Sequence, residues 1–154
     1  MTATETLKSL RTGHVGLNVT DVDRSTAFYR AALGLEAMGE GRDEGRRFAF
    51  LGREGALLIT LWEQSRGTFA TGLPGLHHLS FQVGTIDDVR AAERVLRDLG
   101  ADFTYEGVVP HGEQGASGGI FFTDPDGIRL EIYAPHGADP ADAPVAGAPT
   151  CGFF

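Results

Sequence analysis

His14-Val-Gly-Leu-Asn-Val19 is repeated 64 residues further along the chain as His78-Leu-Ser-Phe-Gln-Val83. Both segments alternate apolar and polar residues, which is the pattern of a half-buried β-strand, and both place a histidine on the polar side. Each segment leads into apolar residues at helical spacing, which are Phe28, Ala31, Ala32 and Leu35 in the first copy and Val89, Ala92, Leu96 and Leu99 in the second. The chain is therefore an internal duplication.

Two strand-like runs follow each predicted helix. Phe48–Ile59 aligns with Ile120–Glu131, and the turn signals Glu54-Gly55 and Asp126-Gly127 lie at equivalent places within them. Each copy thus predicts a strand, a helix and two or three antiparallel strands, which is an α+β fold. A unit of this size, whose sheet has one apolar face, cannot bury that face alone. We therefore expect both copies to pack into one domain.

The predicted domain spans residues 11–136, with module 1 at 11–63, a linker at 64–74 and module 2 at 75–136. Residues 137–154 are rich in proline, alanine and glycine without periodicity, which indicates an extended, mobile tail. Its apolar end, Cys151-Gly-Phe-Phe154, is expected either to be disordered or to dock on the body or on a neighbouring subunit. The glycine-rich stretch 107–119 is interpreted as a mobile lid loop.

Composition narrows the classes of function. The 154 residues include 13 basic and 21 acidic side chains, for a net charge of −8, and no Lys/Arg cluster argues for nucleic acid or an anionic membrane as partner. No apolar run is long enough to span a bilayer, and the first residues lack a secretory signal. The single cysteine, Cys151, excludes an intramolecular disulfide and a thiolate zinc site. We expect a soluble cytoplasmic protein.

Strand alternation places His14, His78 and Glu131 on the polar faces of three strands. A single histidine in a strand is usually only a polar residue whose hydrogen bonds are satisfied, without a role as a ligand. Two at equivalent positions of a duplicated unit, with a glutamate on the matching face, favour a shared site, where a divalent cation would balance the carboxylate.

The sequence resembles the vicinal oxygen chelate superfamily, which includes lactoylglutathione lyases, fosfomycin-resistance transferases, extradiol ring-cleaving dioxygenases and bleomycin-binding proteins. The resemblance is carried by the two histidine strands, the helix Arg24–Leu35, and Phe122-Thr-Asp-Pro-Asp-Gly-Ile-Arg-Leu-Glu131. It implies paired βαβββ modules whose sheet curls into a cup, with helices on the outer face. It also implies a divalent metal ion on His14, His78 and Glu131.

One departure from the lyase pattern is informative. Lactoylglutathione lyases carry a fourth ligand on the last strand of the first module, and the 72-residue offset between hairpins maps Glu131 onto Ile59. A site with two histidines and one carboxylate resembles that of non-heme Fe(II) oxygenases. The resemblance to extradiol dioxygenases assigns His111 as acid–base catalyst. Tyr133 would bind substrate or order Glu131. Phe121 stands where a tyrosine is usual, and the gap after His111 is one residue longer than expected.

Three classes of function remain open at this point. The leading one is an Fe(II)-dependent extradiol dioxygenase acting on a small molecule with vicinal oxygens. The second is a lyase, isomerase or thiol transferase with Mn(II), Zn(II) or Ni(II), and the third is a non-catalytic antibiotic-binding protein. A homodimer is expected, although the cup could close within one chain or across two.

Three other side chains are given structural roles. Trp62 is expected in the core rather than on a substrate wall, and His77 is expected to point away from His78. His136 is expected in solvent, just after the last strand.

Overall fold

The computed structural model describes residues 7–154, which contain eight β-strands and two α-helices. In chain order these are β1 (Val15–Val19), α1 (Val22–Leu33), β2 (Glu36–Gly41), β3 (Phe48–Arg53), β4 (Ala56–Glu63), β5 (Leu79–Gln82), α2 (Ile86–Asp98), β6 (Val109–Pro110), β7 (Ala116–Thr123) and β8 (Arg129–Ala138). Two short 3₁₀ turns follow, at Pro140–Asp142 and Thr150–Gly152.

The strands form two four-stranded sheets of the same topology. The first has the order β1-β4-β3-β2 and the second β5-β8-β7-β6. In each sheet the first strand is parallel to its neighbour and the other pairs are antiparallel. The predicted α+β fold of two βαβββ modules is therefore confirmed. β1 and β5 each lie at the edge of their sheet.

Capping interactions stabilise the ends of the helices. Asp21 caps α1 by accepting a hydrogen bond from the N–H of Arg24, and Gly34 ends it in the left-handed conformation. Thr85 and Asp88 form a capping box at the start of α2. Neither helix is long or apolar enough to cross a lipid bilayer.

The predicted apolar stripes are only partly right. In α1 the buried residues are Val22, Ser25, Tyr29 and Ala32, so the helix buries a face next to the predicted one and leaves Ala31 exposed. In α2, Val89 and Leu96 are fully buried, but Leu99 is 44% exposed because it lies at the C-cap, beyond the packed turns.

The main hydrophobic core lies between the helices and the inner faces of both sheets. It contains residues of both modules, including Leu17, Val19, Leu51, Ile59, Leu61, Val89, Leu96, Ile120, Phe122, Leu130 and Ile132. A single apolar cluster shared by both modules means that the two copies are packed together within the chain.

The Asp-Pro-Asp-Gly turn between β7 and β8 joins module 2 to module 1. Asp126 accepts hydrogen bonds from the N–H and hydroxyl of Thr20 and from the guanidinium of Arg24, whose nitrogen lies 2.7 Å from Asp126 Oδ1. The Tyr29 hydroxyl donates to Asp124 Oδ2 at 2.9 Å. Asp124 also accepts two backbone N–H groups of its own turn. These buried carboxylates therefore hold the start of α1 against module 2.

The glycine-rich stretch 107–119 is a hairpin rather than a free lid loop, so that interpretation is wrong. β6 pairs with β7, and the His111 N–H donates to the Ser117 carbonyl at 2.9 Å. The pairing is close because Gly118 lies against β6, where a Cβ would meet the Val109 oxygen at 2.6 Å.

Candidate functional site

Three of the predicted site residues meet on the open face of the second sheet. Nε2 of His78 lies 3.5 Å from Oε2 of Glu131, and Nε2 of His111 hydrogen-bonds Oε1 of the same carboxylate. His78 immediately precedes β5, Glu131 lies within β8, and His111 immediately follows β6. Three elements of one module thus direct these side chains to one place.

Strand register explains the position of Glu131. Ser80 of β5 and Phe121 of β7 are its neighbours across the sheet, while Leu130 and Ile132 on either side point into the core. Glu131 is only 2% exposed although it lies on the face away from the helices. A carboxylate at this depth requires hydrogen-bonding partners or a cation.

The His78 imidazole supplies Glu131 with a partner that carries no permanent positive charge. Burial lowers the pKa of His78, and the opposing effect of Glu131, which raises it, is smaller. His78 therefore favours its neutral form near pH 7, the form in which an imidazole nitrogen can bind a metal ion.

The donor set fits a divalent cation in its chemistry, since neutral imidazole and carboxylate are ligands that Fe(II), Mn(II) and Zn(II) accept. Across residues 7–154, no group of three or more His, Cys, Asp or Glu side chains is already arranged as a metal cage. Glu131 contacts His111 directly in this structure.

His14 is not part of this cluster within the chain. It lies in an exposed position immediately before β1, in the other sheet, and neither a hydrogen bond nor an ion pair joins it to His78 or Glu131. The structure therefore brings two of the three predicted metal ligands together and leaves the third on a separate sheet edge.

The two predicted catalytic residues have further partners. Nδ1 of His111 lies 2.8 Å from the Ser117 hydroxyl, so both ring nitrogens are hydrogen-bonded. The Tyr133 hydroxyl donates to Gln82 Oε1 at 2.8 Å, and its ring centroid lies 5.3 Å from that of His111. Tyr133 thus borders the cluster without hydrogen-bonding Glu131.

Strand alternation predicted that His77 points away from His78, and this prediction is wrong. The two Nδ1 atoms lie 2.8 Å apart, because both residues precede β5 and do not have to alternate as strand residues do. His136 is exposed as expected but belongs to β8, which continues to Ala138.

The mapping of Glu131 onto Ile59 is wrong by one residue. Ile59 pairs with Val15 and is completely buried in the core. Thr60 pairs with Gly16, which is the module 1 counterpart of the Ser80–Glu131 pair. The register shifts by one residue in the β3–β4 hairpin, and the sequence offset could not show this. A threonine hydroxyl therefore stands where a fourth carboxylate ligand would be.

The same register places Trp62 on the open face of module 1 rather than in the core. Its ring centroid lies 5.5 Å from that of Phe48 and 5.8 Å from that of Phe50, and its Nε1 donates to Thr60 at 2.9 Å. The three rings are half-buried and form an aromatic surface, which we call the aromatic wall.

The segment Cys151–Phe154 also reaches the cluster. This is the docked alternative of the two that the sequence left open for the tail. The Phe154 ring centroid lies 5.4 Å from that of His78 and 4.6 Å from that of Phe121. Cys151 is half-buried, and its pKa is raised by burial and, to a smaller extent, by the nearby Glu131 carboxylate. Arg129 is not among the predicted site residues, although its place on the Glu131 face was a usable signal. Its guanidinium donates to the Phe154 carbonyl.

Comparison with models of known protein families shows which family the chain belongs to. Residues 11–132 match the model of the Glyoxalase/Bleomycin resistance protein/Dioxygenase superfamily. The chain belongs to this superfamily. No curated protein matches the sequence significantly.

Solved structures of the superfamily share the fold. A glyoxylase/bleomycin resistance protein/dioxygenase domain from Frankia sp. EAN1pec superposes with a TM-score of 0.70 at 28% identity, covering 84% of this chain and 95% of that one. A glyoxalase family protein from Enterococcus faecalis gives 0.62 at 27% identity, covering 80% and 96%. A mutant of the fosfomycin resistance protein FosX from Listeria monocytogenes, complexed with Mn(II) and 1S,2S-dihydroxypropylphosphonic acid, gives 0.61 at 22%, covering 80% and 91%.

Proposed function

We propose that this protein is a metal-dependent enzyme acting on a small molecule with two neighbouring oxygens, and specifically an extradiol ring-cleaving dioxygenase that uses Fe(II). His14, His78 and Glu131 are its proposed ligands. The observation that carries the proposal is the buried Glu131 carboxylate, which faces His78 and His111 on the open side of the sheet.

The chemistry that a bound Fe(II) ion supplies at such a ligand set is Lewis acidity towards vicinal hydroxyls and electron transfer to dioxygen. Thr60 in place of a fourth carboxylate agrees with three protein ligands rather than four. FosX was solved with Mn(II) and a vicinal diol, which supports a substrate of this general kind.

His111 is the proposed acid–base catalyst. Its Nε2 hydrogen-bonds Glu131 here. Once the carboxylate binds the metal, a neutral ring with its proton on Nδ1, facing the Ser117 hydroxyl, would accept a proton from a substrate hydroxyl at Nε2. The Ser117 hydroxyl holds Nδ1 and so fixes the ring orientation. Tyr133 borders His111 and would position the substrate.

The aromatic wall supports a ring-shaped substrate. Phe48, Phe50 and Trp62 present half-buried rings on the face of module 1 that corresponds to the Glu131 face of module 2. When the open face of module 1 meets the Glu131 face of module 2, the three aromatic rings would line the cavity opposite the metal ligands. Such a lining would favour an aromatic over a highly polar substrate.

We propose further that two copies share each site. β1 and β5 are edge strands in separate sheets, and edge strands have unpaired backbone groups that a second chain can satisfy. A two-fold dimer pairing β1 of one copy with β5 of the other would bring His14 beside the partner's copy of the His78–Glu131 pair. Leu58 and Val95, 38% and 41% exposed, line a groove beside β5 that such contact would cover.

Residues 11–136 are the proposed catalytic domain, with modules at 11–63 and 75–136. We place the enzyme in the cytoplasm, since Cys151 is its single cysteine and no disulfide can form within the chain.

Oxygen uptake tests the reaction. Protein loaded anaerobically with Fe(II) is mixed with a panel of catechols, and we expect oxygen consumption together with a yellow ring-opened product. His111→Ala should lower kcat about 100-fold or more, while metal content stays constant. No uptake, combined with turnover of a hemithioacetal or an epoxide with Mn(II), would replace the dioxygenase assignment with a lyase or transferase.

A mixed dimer tests the shared site. His14→Ala and Glu131→Gln chains carrying different tags are co-expressed and the heterodimer is isolated through both tags. If each site takes His14 from one copy and Glu131 from the other, one of the two sites is intact and half of the wild-type metal content returns. If each site lies within one chain, both sites are damaged and none returns.

A further inference from the structure

Residues Thr150–Phe154 lie across the cluster of His78, His111 and Glu131. We call this segment the strap. We propose that the strap is displaceable and that its Phe154 ring occupies a binding site for a ligand with an aromatic ring and an oxyanion. This inference names a ligand class for the site of the proposed function, but the contacts that carry it involve no metal.

The strap has one firm attachment. Thr150 is fully buried, its N–H donates to the His111 carbonyl at 2.9 Å and its hydroxyl donates to the Pro110 carbonyl at 2.8 Å. Both acceptors belong to the β6 end of the hairpin. The segment therefore stays anchored at Thr150 even when the residues beyond it move.

The residues beyond Thr150 are held more weakly. Phe153 is 65% exposed, and its carbonyl accepts one hydrogen bond from the Tyr105 hydroxyl at 3.2 Å. Gly152 is exposed, and a Cβ built on it would have no neighbour within 4 Å. The N–H groups of Gly152 and Phe153 donate to Pro149 and Thr150 at 3.1 and 3.2 Å within the short 3₁₀ turn. Apart from this local turn, movement would break few contacts, and the exposed Gly152 can absorb a change in backbone direction.

The Phe154 ring is the exception, because it is surrounded by side chains suited to an aromatic ligand. Its centroid lies 4.6 Å from that of Phe121 and 5.4 Å from that of His78, and the Arg129 guanidinium carbon lies 5.4 Å from it. Arg129 also donates to the Phe154 carbonyl oxygen. An edge-to-face aromatic partner, an imidazole and a cation together form a site for a ring that carries an oxygen acceptor.

The burial of Phe121 shows how completely this site is filled. Phe121 lies on the open face beside Glu131, where solvent would reach it, and yet it is 0% exposed. The Phe154 and Tyr105 rings pack against it. Removing Phe154 would therefore open an apolar surface next to the carboxylate, and a ligand ring could cover it again.

Chemical labelling of His78 tests whether the strap covers the site. Metal-free protein is treated with diethyl pyrocarbonate and the modification of each histidine is followed by peptide mass spectrometry. We expect Phe154→Ala to raise the rate at His78 several-fold while the rate at exposed His136 stays constant. The matched control is Phe153→Ala, which removes an exposed neighbouring ring and should leave the His78 rate unchanged.

Binding of 3-phenylpropionate tests the ligand class. We expect Phe154→Ala to bind this probe about tenfold more tightly than wild type if the strap is closed about nine-tenths of the time, because competition by the strap lowers apparent affinity by the open fraction. Arg129→Gln in the Phe154→Ala background should abolish the gain, and 3-cyclohexylpropionate should bind more weakly than the probe.

Equal His78 labelling in wild type and Phe154→Ala, or equal affinity of both for 3-phenylpropionate, would overturn the proposal. Both measurements use metal-free protein, so such a failure would leave the proposed metal ligands and reaction untouched. Conversely, if Phe154→Ala shows the expected labelling and binding but the protein binds no metal, the proposal for the strap holds and the proposed metal-dependent enzyme is contradicted.

Discussion

The Tyr29 hydroxyl of α1 donates to Asp124 Oδ2 at 2.9 Å, across the boundary between the two modules, and Tyr29 itself has no exposed surface. This bond joins a helix of the first copy to the turn between β7 and β8 of the second. The Asp-Pro-Asp-Gly motif, which helped to reveal the family, therefore fastens one module to the other instead of contributing to the candidate site.

Removing the hydroxyl of Tyr29 should destabilise the protein without emptying space in the core. We expect Tyr29→Phe to lower the free energy of unfolding by about 1–3 kcal/mol, because a buried carboxylate loses a donor. Urea denaturation measures the change. Tyr105→Phe removes a hydroxyl from an exposed bond and should cost about 0.5 kcal/mol or less; an equal loss in both variants would contradict the role given to Tyr29.

Asp124 makes stability depend on pH in a specific direction. Burial raises the pKa of Asp124 above its ordinary value, against the hydrogen bonds that lower it. A raised folded-state pKa favours folding when the group is protonated, so its contribution is present below the unfolded value of about 3.9 and is lost as pH rises through the folded value.

The matching variant is Asp124→Asn, which cannot titrate. We expect the free energy of unfolding of wild type minus that of the variant to fall as pH rises from about 3, and then to level off above the folded pKa. Taking the difference removes the contributions of the other carboxylates. A difference that increases with pH would mean that the hydrogen bonds outweigh burial.

Neighbouring substitutions on β4 test the strand register. Ile59→Ala should cost about 2–4 kcal/mol, because Ile59 is completely buried in the core. Thr60→Ala should cost about 1 kcal/mol, since it removes one hydrogen bond from Trp62 on the open face. Denaturation of both variants under identical conditions makes the comparison; a larger loss at Thr60 would contradict the register.

Much of this architecture could be predicted from local patterns. The duplication of the His14 and His78 strands, the end of α1 at Gly34 and the turn at Glu54-Gly55 follow from alternation and backbone preferences. Placement of Glu131 on the open face of its strand followed from the same alternation.

The remaining features depend on contacts between distant residues. The one-residue register shift that exchanges Ile59 for Thr60 is decided by pairing between β3 and β4. The burial of Tyr29 depends on a partner 95 residues away, and the docking of Phe154 on rings supplied by other elements. Local sequence indicates neither the register shift nor the partner of Tyr29, and the apolar end at Phe154 indicates docking without showing where.

Metal binding by His14, His78 and Glu131 underlies the proposed function. Titration of metal-free protein with Mn(II), followed by calorimetry, tests this binding most directly. We expect one ion per chain in wild type and in His136→Ala, a control for loss of a histidine. Glu131→Gln and His14→Ala should each weaken binding about tenfold or more. Wild-type affinity in Glu131→Gln, or no binding by wild-type protein, would contradict the proposed site.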